Sequence, residues 1–89
     1  MIERSAEIVN RLGLHARAAA KLVHTAGAFE SQVTLAKDGE EVDAKSILGI
    51  LLMAAAQGSQ VVVRSDGPDE QAAMDAVLAL IANRFDEES

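Results

Sequence analysis

Asn10-Arg11-Leu12-Gly13-Leu14-His15-Ala16-Arg17-Ala18-Ala19-Ala20-Lys21-Leu22-Val23 is where the chain changes its period. Upstream, Ile2 to Val9 alternates, with Ile2, Ala6 and Ile8 on one face and Glu3, Ser5 and Glu7 on the other. That is the pattern of a half-buried strand. After a glycine turn, Ala19, Leu22, Val23 and Ala26 recur at helical spacing, which predicts a helix from about Ala16 to Ala26. His15 stands where that helix begins. A residue there faces backbone N–H groups that have no partner inside the helix, and these, with the positive end of the helix dipole, form a seat for an anion such as phosphate. Arg17 adds a planar, charged fork of donors. A ring nitrogen able to carry phosphate thus lies beside groups able to hold it.

Downstream, Ser31 to Lys37 reads as a strand with Val33 and Leu35 facing in, and Asp38-Gly39 is a hairpin turn that returns the chain as Glu40 to Asp43. Ser46 precedes a short apolar helix, Ile47 to Met53, which Gly58 is expected to close, and Gln60 to Ser65 is a further β run. Asp66-Gly67-Pro68-Asp69 forms a turn suited to start a helix from about Glu70 to Arg84, burying Ala73, Met74, Val77, Leu80 and Ile81. Asp86-Glu87-Glu88-Ser89 reads as a frayed acidic tail. The order β-α-β-β-α-β-α predicts a two-layer, open-faced α/β (α+β) sandwich: a four-stranded antiparallel sheet with three helices on one face.

At 89 residues the chain is expected to be one domain, and 49% hydrophobic residues exclude a disordered segment. The longest apolar run, Ile47 to Ala56, is too short to span a membrane. Met1-Ile2-Glu3-Arg4 lacks the pattern of a signal peptide, and there are no cysteines, so a cytoplasmic location is expected. A net charge of −6 argues against nucleic-acid binding. All 14 acidic residues lie outside two windows, Ile8 to Phe29 and Ala44 to Ser65, which contain His15 and Ser46. Two regions free of negative charge are therefore expected around those residues, as phosphate acceptance favours.

Gly13-Leu14-His15-Ala16-Arg17 with Ala19-Ala20-Lys21-Leu22-Val23 resembles the active-site signature of the HPr family, the histidine-containing phosphocarriers of the sugar phosphotransferase system. Lys45-Ser46-Ile47-Leu48-Gly49-Ile50 resembles the family's regulatory serine segment, in the same order and spacing. One departure is Ala18, where the family usually has proline; both residues suit a first helical turn. The resemblance implies that His15 takes phosphate, on the δ1 ring nitrogen, from a phosphoenolpyruvate-charged general enzyme of the system. It then passes to sugar-specific transporter subunits. No cofactor or metal is implied, and a monomer is expected. In members regulated at the serine, a serine kinase/phosphorylase and a transcriptional regulator are further partners.

The residues themselves leave several roles open. A histidine at a helix start can simply cap the helix or fill the core; Arg17, Gly13 and the absence of acids favour the phosphate role, with the Ala16 and Arg17 amides as donors. The helix end and Arg17 both disfavour the imidazolium form. Arg17, Lys21 and His24 make a basic stripe that is either a solvated face or a contact, with Ala20, for an acidic partner. Ser46 is a helix N-cap worth about 1 kcal/mol, to which the resemblance adds phosphorylation. Ile47, Leu48, Leu51 and Leu52 cover the side of their helix opposite Gly49, Ile50 and Met53, and form a docking surface unless Ala54-Ala55-Ala56 covers them. With two aromatic residues, Phe29 and Phe85, an RNA-binding reading fails. A hydrolase reading lacks a nucleophile–base pair. A nitrogen-related phosphocarrier and a non-catalytic regulatory module of the same fold remain the alternatives.

Overall fold

A computed structural model describes residues 1–88. Its elements are β1 (Ile2–Glu7), α1 (Ala16–Gly27), β2 (Gln32–Lys37), β3 (Glu40–Asp43), α2 (Ile47–Met53), β4 (Gln60–Asp66) and α3 (Glu70–Ala82), followed by a short 3₁₀ turn, Arg84–Asp86. All strand pairs are antiparallel, in the order β1-β4-β2-β3. The expected element order and sandwich are thus found.

Alternation decides which face is covered. Val61 and Val63 of β4 lie opposite Ala6 and Arg4 of β1, and Val63 also lies opposite Leu35 of β2. These inward valines and leucines join Leu22, Ala26, Ile50, Met74, Val77 and Ile81 in one buried cluster. α3 packs on β1 and β4, α2 packs on β3, and α1 packs against both other helices. On the opposite face Arg64 of β4 donates to Glu3 of β1 and Glu41 of β3, joining three strands across the open side. The hairpin has Asp38 and Gly39 both at positive φ (52° and 84°), the twist-matched two-residue turn that Asp-Gly favours.

Several details differ from the sequence reading, although α2 keeps its expected span. β1 ends at Glu7, although Ile8 keeps pairing through Gly58 N–H to its carbonyl at 2.8 Å. α2 stops at Met53 with Ala54 in the left-handed region, so Gly58 serves the turn into β4 and not the helix end. α3 stops at Ala82, and Leu80 is only half-buried. Asp69 precedes α3 without capping it; its carboxylate accepts from Ser31 N–H (2.9 Å), Ser31 Oγ–H (2.5 Å) and Glu30 N–H (3.0 Å), pinning the α1–β2 link to the start of α3.

The acidic tail is not frayed over its described part. Phe85 is fully buried, and Arg84, Phe85 and Asp86 all have positive φ. Left-handed backbone is costly for non-glycine residues, and the buried ring of Phe85 is what repays it. The turn throws Asp86 and Glu87 back over α1. Ser89 lies outside the described residues.

Candidate functional site

The residues from Asn10 to His15 form a tight turn that delivers the ring. Gly13 N–H donates to the Asn10 carbonyl at 3.2 Å, and Leu14 N–H donates to the Ala55 carbonyl at 2.9 Å. Gly13 has φ +67°, and a Cβ there would lie 2.5 Å from the Ala55 oxygen, so the turn requires glycine. The site is thereby fastened to the segment that follows α2. His15 is the extended residue before α1, its carbonyl accepting the first helical bond from Ala19 N–H at 2.8 Å. Its side chain makes no capping bond and is 28% exposed, which sets aside both the capping and the core reading. Ala16 and Arg17 are exposed in the first turn, where the helix presents its unpaired amides.

The far ring nitrogen has a partner that local sequence did not indicate. His15 Nε2 meets Glu87 Oε2, 72 residues away in the chain. The other oxygen of Glu87 accepts from Asn10 Nδ2 at 3.0 Å, and the same amide donates to the Gly13 carbonyl at 2.8 Å. Burial pushes the Glu87 carboxyl up, but the Asn10 and His15 hydrogen bonds and the nearby charge of Arg17 outweigh it and hold the group below its ordinary range. An ionised carboxylate can only accept, so in the neutral ring, the form able to attack phosphorus, the proton sits on Nε2. Nδ1 is then left with its lone pair.

This overturns the expectation of acid-free surroundings. The windows hold in sequence but not in space: Asp86, Glu87 and Glu88 line the depression of about 720 Å³ around His15, with Arg11, Arg17 and Lys21. Lys21 Nζ lies 3.4 Å from Asp86 Oδ2, so part of the basic stripe is already answered within the chain.

Ala20, Lys21 and His24 run along the outer side of α1, where they form a shallow second depression with Leu80. Ser46 caps α2, its Oγ accepting from Gly49 N–H at 3.2 Å. It opens the helix whose following segment is tied to the His15 turn. Ile50 and Met53 are buried. Ile47, Leu48, Leu51 and Leu52 are exposed, Leu48 by 67% and Leu52 by 73%, so the alanine run does not cover them. Ala55 packs under Gly13 instead.

Leu12, 63% exposed in the His15 turn, is a further exposed apolar residue that the sequence reading missed. A large apolar residue beside a turn glycine is a signal that was available. Asn10 was legible only as a turn residue, and for Glu87 no local pattern exists.

Residues 2–83 match the family described as "PTS HPr component phosphorylation site". The chain is 60% identical to the phosphocarrier protein HPr of Cupriavidus necator over 87 residues, covering 98% of each. It is 52% identical to the phosphocarrier protein HPr of Xylella fastidiosa over 89 residues, covering all of both. Among solved structures, HPr-C-His from Thermoanaerobacter tengcongensis superposes with a TM-score of 0.96 at 45% identity over the whole of both chains. Crh, the catabolite repression protein of Bacillus subtilis described as a swapped dimer, gives 0.76 at 38% identity, covering 93% and 95%.

Proposed function

Because this chain belongs to the HPr phosphocarrier family, we propose that it carries a phosphoryl group on His15, as a single carrier domain over residues 1–89. The observation that carries this reading is the ring itself: half-exposed at a helix start, free of any capping bond, and held through Nε2 by Glu87. The lone pair of Nδ1 attacks phosphorus, the donor's bond to phosphorus breaks, and its electron pair returns to the donor. The ring keeps its Nε2 proton and gains positive charge, which the Glu87 carboxylate stabilises. The phosphoryl oxygens are met by the Ala16 and Arg17 amides and the Arg17 guanidinium. Carboxylate and phosphoryl group occupy different ring nitrogens, which is how an acid and a phosphate share one small site.

The donor is the phosphorylated general enzyme of the phosphotransferase system, and the acceptors are sugar-specific transporter subunits. The sugar branch is preferred over the nitrogen branch because the relatives named above are HPr. The chain is substrate and donor for other proteins, not a catalyst, and works in the cytoplasm. The chain is read as acting as a monomer. Ile47, Leu48, Leu51 and Leu52 with Ala20, Lys21 and His24 form the docking surface. Ser46 is the regulatory residue: a phosphate there suits the helix end but opposes docking on the apolar patch beside it.

Intact-mass measurement after incubation with phosphoenolpyruvate and the general enzyme tests the reading. One acid-labile phosphate, absent from a folded His15→Ala variant, is expected; labelling of His15→Ala would refute it.

A further inference from the structure

We infer that Asn10 is a positioning residue for His15, acting through Glu87. The inference rests on the reading of His15 as the phosphoryl acceptor. Asn10 is fully buried, and both hydrogens of its amide are used, one on the Gly13 carbonyl and one on Glu87 Oε1. Its Oδ1 has no partner among the described residues. An orphaned buried acceptor destabilises a fold, so the side chain is not there for its own hydrogen bonding. Nor can the amide be turned over, because Oδ1 would then face a carbonyl and a carboxylate, both acceptors. Asn10 is needed as a double donor.

Its two acceptors are the two things that set the ring. The Gly13 carbonyl also accepts from His15 N–H at 3.0 Å, so one contact fixes the backbone from which the ring hangs. The other fixes the carboxylate that holds Nε2. One buried amide thus locks the frame and the far end of the imidazole together, and Nδ1 is kept as the free nitrogen. The effect of Asn10 on the tautomer passes through which atom of residue 87 it engages.

Glu87→Gln makes this visible. The amide oxygen of Gln has to meet the Asn10 donor, which leaves the amide NH₂ facing His15 Nε2. The ring is then forced to offer a lone pair at Nε2 and to carry its proton on Nδ1. The tautomer is read by long-range ¹H–¹⁵N correlation on histidine-labelled protein, at a pH where the rings are neutral, with exposed His24 as internal reference. Wild type is expected to show the Nε2–H form at His15 and Glu87→Gln the Nδ1–H form. Glu87→Gln is also expected to accept phosphate more slowly, on the order of tenfold, the scale of losing an orienting partner to a histidine. Asn10→Ala in the Glu87→Gln background is expected to abolish the inversion and give a mixture.

An unchanged Nε2–H tautomer in Glu87→Gln overturns the inference, as does an inversion that persists without Asn10. Should the double variant fail to fold, Asn10→Ala alone decides: loss of the pure Nε2–H form is expected, and a spectrum like that of wild type overturns the inference. The ring readout needs no phosphate, so loss of the phosphocarrier reading would appear separately, as wild-type protein that takes up no label.

Discussion

One methyl group at Gly13 is expected to cost about 2–4 kcal/mol, the sum of a left-handed backbone and a forced contact. The added Cβ of Gly13→Ala would sit 2.5 Å from the Ala55 oxygen, and backbone cannot swing aside as a side chain can. Urea unfolding should show a lowered midpoint with little change in slope; an unchanged midpoint would mean the turn relaxes freely. At this scale the sequence was informative wherever the physics is local. His15 and Arg17 declare themselves because a glycine turn, a helix start and a charged fork follow within a few residues. Glu87 did not, since its role arises only when Phe85 anchors the turn that folds it back. The acid-free windows misled for the same reason: spacing along the chain says nothing about a partner 72 residues away.

Among the elements, the junction of α1, β2 and α3 is held by Asp69. Its carboxyl lies below the ordinary 3.8, because Ser31 and the backbone N–H of Glu30 donate to the charged form. With the folded value below the unfolded one, the unfolded chain binds protons first as pH falls. The contact therefore stabilises fully above the ordinary carboxylate range, about pH 4, and is lost as pH drops through the lower folded value. Asp69→Asn should be less stable than wild type at neutral pH, with the gap narrowing below about pH 4. Thermal unfolding across pH measures this, and a gap independent of pH would contradict it. The strands, the Asp-Gly hairpin and the Ser46 cap were legible because each depends on its own few residues. The residue that closes α2 was not, because Ala54 adopts a left-handed conformation usually left to glycine, and Gly58 was the more obvious stop.

For the whole molecule, the exposed leucines of α2 and Leu12 contrast with a chain whose net charge is −6. Leu48→Ser with Leu52→Ser removes apolar surface that water already reaches, so stability should shift by no more than about 1 kcal/mol for the pair. Affinity for the general enzyme, read by calorimetry, should fall at least about tenfold if this patch is the docking surface; equal affinity would place docking elsewhere. The claim that joins fold to function is that the tail, the turn and α1 together reserve one nitrogen of one histidine. The direct measurement is the one-bond coupling between ³¹P and ¹⁵N in phosphorylated, histidine-labelled protein. Coupling to Nδ1 of His15 alone is expected. Coupling to Nε2, or to either nitrogen of His24, would contradict it.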